Sequence, residues 1–277
     1  MDFQLWFKNT CMRLSTPFLI LLCINSLAVF AFSYFNLFLK EQGFSLASLV
    51  LLYALTCVVA VLIIPFLKSI SLRWTIPLGF LNLALISLAV TFSKPTLAYL
   101  LYASLVGLHM ALFWVSLNYF FFTSSCKATN AVDSTLYSLA PSIITAILPL
   151  AGARFLHAFG YRALFGLTAV LLLLSALILR RRIPHKKITL HFLRDVKEFK
   201  SLRTITCCEG ALQFFTYVLL PIYGLLFLKS EIELGWFFSY LAVVGLIIAL
   251  ILSFRSDKTQ LRKKYVYPLF FLCPSHF

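Results

Sequence analysis

Eight runs of about twenty consecutive, mostly apolar residues dominate the chain, at 17–39, 44–67, 74–92, 96–122, 134–156, 161–179, 204–227 and 234–254. A hydrocarbon core about 30 Å thick is crossed by about 20 residues of helix, and inside it a backbone satisfies its own hydrogen bonds only as a helix or a closed barrel. The runs are continuously apolar and do not alternate with period two, which argues against a barrel. The expected fold is therefore all-α, a polytopic transmembrane helical bundle. Composition agrees: 61% of the 277 residues are hydrophobic and only 12% are charged, about half the charge of an ordinary soluble domain. A ninth run starts at Tyr265 and reaches only Phe277, about 20 Å of helix at roughly 1.5 Å per residue, short of the core thickness.

The formal net charge of +15 is explained by where the cations lie. If the N-terminus is cytoplasmic, nineteen of the 24 Lys and Arg residues fall on the cytoplasmic face and five, Lys40, Lys94, Arg154, Arg162 and Lys229, on the other. Such a bias is the one expected of an N-in, multi-pass protein of the plasma or cytoplasmic membrane. Nucleic acid is not an expected partner, because the cations are divided among separate loops and form no single patch with interleaved aromatics. The first run is too long for the apolar region of a signal peptide and is read as a retained helix. All seven cysteines lie within spans or on the cytoplasmic face and are read as small packing residues.

One long polar segment, 180–203, follows the sixth run and opens with Arg180, Arg181 and Arg182. It divides the chain into a six-span bundle at 1–179, a basic cytoplasmic linker at 180–203 and a partial second bundle at 204–277. Taken alone, the segment reads equally as a solvated loop and as a lipid-binding stretch.

This arrangement, with several local motifs, resembles the major facilitator superfamily of secondary transporters, in which two six-helix halves are joined by a cytoplasmic loop. The tract Leu148-Pro149-Leu150-Ala151-Gly152-Ala153 is similar to the family's Gly-Pro-x-x-Gly-Gly ending of the fifth span, and Gly160-Tyr161-Arg162-Ala163-Leu164-Phe165 to its Gly-aromatic-Arg-x-x-Phe opening of the sixth. Residues Ala111 to Trp114 and Asn118 resemble the end of its fourth span. The cytoplasmic Gly-x-x-x-Asp-Arg/Lys loop is degraded after span two, where Pro65 and Ser69 replace Gly and Asp and Arg73 remains. A better copy follows span eight, with Asp257, Lys258 and Arg262. The resemblance implies that these four residues, Arg73, Asp257, Lys258 and Arg262, help to latch helices in one conformation. It also implies an MFS-like six-helix half followed by an incomplete second half, as in a C-terminally truncated member.

Polar side chains inside a membrane are costly and usually face the bundle interior or an aqueous path. On a helix turning about 100° per residue, Asn25 and Asn36 in span one fall within about 20° of each other, and Tyr102, His109 and Ser116 in span four repeat every seven residues. In span seven Glu209, Gln213, Thr216 and Tyr223 make a third stripe. Spans one, four and seven line the central cavity in the resembled family, which implies a substrate path along Asn25, Asn36, Tyr102, His109, Ser116, Gln213 and Thr216. Two readings of Glu209 stand: a proton-coupling carboxyl raised toward neutrality by desolvation, or a residue near the interface snorkelling or pairing with Arg203. His109 reads either as a proton relay or as a helix-to-helix hydrogen bond, and the two asparagines as substrate contacts or as ties between helices.

No HExxH, GxSxG, P-loop or GxGxxG sequence occurs, so neither an enzyme nor a cofactor nor a resident metal is expected. Without a nucleotide site, transport would run downhill or be coupled to protons or another ion. The expected function is secondary active transport of a small solute by alternating access, within a lipid bilayer. The alternative is a non-transporting membrane protein, either an inert truncated relative or a receptor-like or scaffold-like chain.

Overall fold

The structure is a computed structural model and describes residues 16–67, 70–124, 130–183, 185–188, 203–228 and 230–259. Among them the regular structure is helical, with one isolated antiparallel bridge between Ser71 and Lys187. Among the described residues, six helices are long and apolar enough to cross a membrane: Ile20–Glu41, Leu46–Leu67, Leu72–Phe92, Pro95–Phe121, Ile143–Arg181 and Glu231–Ile248. The fifth of these holds two of the expected spans. The helix Asn130–Arg182 is broken at Gly160, whose φ of 76° and ψ of 173° lie in a region open essentially to Gly alone. Its two arms are spans five and six. Span one is broken into helices Thr16–Leu27, Val29–Phe32 and Phe35–Glu41, and span seven runs as helix Arg203–Phe214, a π-helical turn Phe215–Leu219 and helix Leu220–Gly224. Span eight extends to Thr259, so Asp257 and Lys258 continue the helix and do not lie in a loop. The ninth run lies outside the described residues.

Local chemistry explains the helix ends. Ser45 and Ser71 accept hydrogen bonds from the amides of Ser48 and Arg73 and start spans two and three as N-caps. Pro95 occupies the first turn of span four, where its missing N–H costs nothing. Ser230 and Glu233 form a reciprocal capping box at the start of span eight. Within the spans Ser26, Thr56, Ser87, Thr91, Thr168 and Ser175 donate their hydroxyls to the carbonyl four residues earlier. That removes polar atoms from an apolar surround without a tertiary partner.

Packing separates the spans into central and peripheral ones. The Leu72–Phe92 helix is the most buried of the six, whereas Leu46–Leu67 turns Leu51, Val58, Val61 and Leu62 outward. Such a continuous apolar surface is large for a soluble monomer and natural against lipid. Helices approach closely where glycine leaves room. A Cβ on Gly152 of span five would collide with the Phe30 carbonyl of span one, and one on Gly235 of span eight would lie 2.7 Å from Ala153 Cβ and 2.8 Å from Tyr34 Oη. Spans one, five and eight therefore meet at one small-residue crossing.

Candidate functional site

The polar residues of spans one and four come together at one level only. Asn36, buried, donates through Nδ2 to Tyr53 Oη at 3.0 Å, and the Tyr53 hydroxyl lies 3.2 Å from Asn36 Oδ1. Tyr102 is buried beside them, its ring stacked on Phe35 at 4.2 Å and edge-on to Tyr53 at 6.0 Å. Phe32 and Phe165 complete the wall around this group. The result ties spans one, two and four through a satisfied polar contact in an aromatic core. Tyr53, flanked by leucines and alanine, is the member that sequence pattern alone does not single out.

Below that level the stripe of span four meets a different neighbour. His109 is buried with Nδ1 2.9 Å from the Gly79 carbonyl; since a carbonyl only accepts, the neutral ring carries its proton on Nδ1. Its ring stacks on Phe113 at 5.1 Å. Ser116, fully buried, donates to Thr75 Oγ1 at 2.6 Å. Both contacts are to span three. Helices cross at an angle, so one stripe faces different partners at different depths. A π-helical turn at Met110–Trp114 lies between His109 and Ser116 and adds to the change, because each such turn rotates the residues downstream of it.

Asn25 is half-buried, and its Oδ1 has no hydrogen-bond partner among the described residues. On span seven Gln213 and Thr216 are exposed, and Thr216 donates to the Leu212 carbonyl at 2.8 Å. Glu209 lies one helical turn before Gln213 and on the same face, but its side chain is outside the described set. So are those of Asp257 and Lys258, while Arg262 lies beyond the described residues altogether. Arg73 is exposed and donates through Nε to the Arg180 carbonyl at 3.3 Å, which links the start of span three to the end of span six.

The second bundle touches the first at the end that holds Lys40 and Glu231. Lys40 Nζ donates to the Leu225 carbonyl, at the end of span seven, and thereby satisfies one of the carbonyls that a helix C-terminus leaves free. Tyr34 Oη donates to the Pro149 carbonyl beside Gly235. An apolar cavity of about 470 Å³ lies between the bundles, lined by Leu46 and Val50 of span two and by Phe215, Ile222 and Tyr223 of span seven. Tyr223 follows the π-helical turn Phe215–Leu219, which displaces it from the face of Gln213 and Thr216 and points it at span two.

A chain of this build, helical throughout its described core and clad in apolar side chains, is a multi-pass membrane protein. The family model described as Major Facilitator Superfamily matches residues 131–275, which is more than half of the chain. The protein belongs to the Major Facilitator Superfamily and is a membrane transporter of that type. No curated protein and no solved structure matches the chain.

Proposed function

We propose that the chain is a secondary active transporter that moves a small solute by alternating access, its bundles at 1–179 and 204–277 rocking about a site near the bilayer midplane. The linker 180–203 and the N-terminus lie in the cytoplasm, and the protein resides in the plasma membrane. The family match supports this reading because it runs through the end of the first bundle, the linker and the second bundle alike. The observation that carries it is the junction between the bundles, where Lys40 donates to the Leu225 carbonyl. We read that junction as the closed outward side, with the exposed Gln213 and Thr216 of span seven reached from the other.

Solute reaches Gln213 and Thr216 from the linker side, and protons are the coupling ion, carried by Glu209 on the same helical face. A carboxyl that is desolvated in one conformation and solvated in the other exchanges its proton as access alternates, which couples flux to the gradient. The test uses the intact chain in proteoliposomes, with lumenal pH followed as members of a solute panel are added. Solute-linked proton movement is expected in the unmodified chain and its loss in Glu209→Gln, with insertion unchanged. Proton movement undiminished in that variant removes Glu209 from the mechanism.

A further inference from the structure

We propose that Arg73, Arg180 and Lys187 form a binding site for the headgroup of an anionic phospholipid, at the rim where spans two and six end and span three begins. The site is built by a backbone strap. Residues 185–188 run beside residues 70–72: the Leu72 amide donates to the Lys186 carbonyl and the Ile188 amide to the Ile70 carbonyl, both at 2.9 Å. Ile183 and Ile188 are buried and anchor the strap to the bundle. Lys187 is thereby held opposite Ser71, next to the N-terminal turn that carries Arg73. The start of the expected linker is thus part of the first bundle's surface.

Arg180 is fixed by two contacts. Its guanidinium lies 4.1 Å from the centre of the Trp74 ring, a cation–π geometry, and its carbonyl accepts from Arg73 Nε. Three cations are therefore positioned on one rim, and Arg73, Arg180 and Lys187 are all exposed. The other strap lysine, Lys186, is turned toward the Tyr119 ring at 5.9 Å. Among the described side chains the carboxylates are Glu41, Glu231 and Glu233, and all three sit at the opposite end of the spans. Nothing acidic among the described side chains neutralises the rim.

Depth identifies the ligand. Trp74, in the first turn of span three, is 46% exposed; an exposed Trp at the end of a span marks the boundary between hydrocarbon and headgroups. A guanidinium lying on that Trp is at the level of lipid phosphates, where Arg gives paired hydrogen bonds to phosphate oxygens. The inference rests on the proposed orientation, since anionic lipids are concentrated in the cytoplasmic leaflet.

Native mass spectrometry of the purified chain in detergent, titrated with phosphatidylglycerol or phosphatidylcholine, reads the binding directly and needs no transport assay. Phosphatidylglycerol is expected to bind about a hundredfold more tightly than phosphatidylcholine, each of the three cations contributing roughly fivefold, with the preference falling as salt rises. The double variant Arg180→Gln/Lys187→Gln should lose about 25-fold on the same scale, and Lys94→Gln/Arg162→Gln, at the other end, should lose nothing. Equal binding of the two lipids by the unmodified chain overturns the proposal, whether or not the double variant folds. So does undiminished phosphatidylglycerol binding by the double variant, or displacement of the lipid by equimolar inorganic phosphate, which would show an anion site indifferent to lipid.

Discussion

Gly152 and Gly235 set the distance between three helices, and the side chains around them depend on that spacing. A Leu at 152 would drive its Cβ into the Phe30 backbone carbonyl, which cannot rotate away. Gly152→Leu is expected to cost about 1–3 kcal/mol or more, read as a lowered thermal midpoint of the detergent-solubilised chain. An unchanged midpoint would mean that spans one and five do not meet there. The Asn36–Tyr53 contact is worth less: Tyr53→Phe should cost about 0.6–1.7 kcal/mol in the same assay. Asn36 was legible in the sequence because an amide inside an apolar run must find a partner. Its partner was not, since a tyrosine among leucines and valines reads as aromatic bulk until the fold brings span two against span one. The same holds for Gly235, whose importance lies in the Tyr34 hydroxyl and Ala153 of other helices.

Individual spans are set by length and apolarity, which act locally, and so the sequence places them closely. Span three, expected at 74–92, is Leu72–Phe92, and span eight, expected at 234–254, is Glu231–Thr259. Departures within spans were not legible, because a π-helical turn inserts one residue without altering composition. Two such turns occur among the described residues, directly after His109 and after Phe214, and they redirect Ser116 and Tyr223. The break between spans five and six does have a sequence mark in Gly160, whose backbone lies at φ 76°. No neighbour crowds that position, so the cost of a side chain there is conformational alone. Gly160→Ala should destabilise by about 1–3 kcal/mol, again as a lower thermal midpoint; a neutral result would contradict the observed turn.

For the molecule as a whole, the family match and the structure together define a transporter of the major facilitator type, and the proposed cycle depends on how the bundles meet. Polar stripes in the sequence pointed to spans one, four and seven as a group, but helix faces alone could not say which neighbour each stripe would meet. Asn36 and Tyr102 converge, His109 and Ser116 pack on span three, and Gln213 and Thr216 stay exposed. What holds the bundles together at the Lys40 end was not visible beforehand, because Lys40 donates to a backbone carbonyl and no sequence motif encodes that contact. Lys40→Met removes this link between the bundles and is expected to raise outward access to span seven several-fold.

Access at Thr216 measures the proposed inward-open arrangement directly. In a cysteine-free background, Thr216→Cys is exposed to a membrane-impermeant maleimide in inside-out and in right-side-out vesicles. Reaction from the cytoplasmic side, little reaction from outside, and added outside reaction when Lys40→Met is combined with it are the expected results. Equal reaction from both sides without the Lys40 substitution, or none from either, would contradict a transporter closed at the Lys40 end and open at the other.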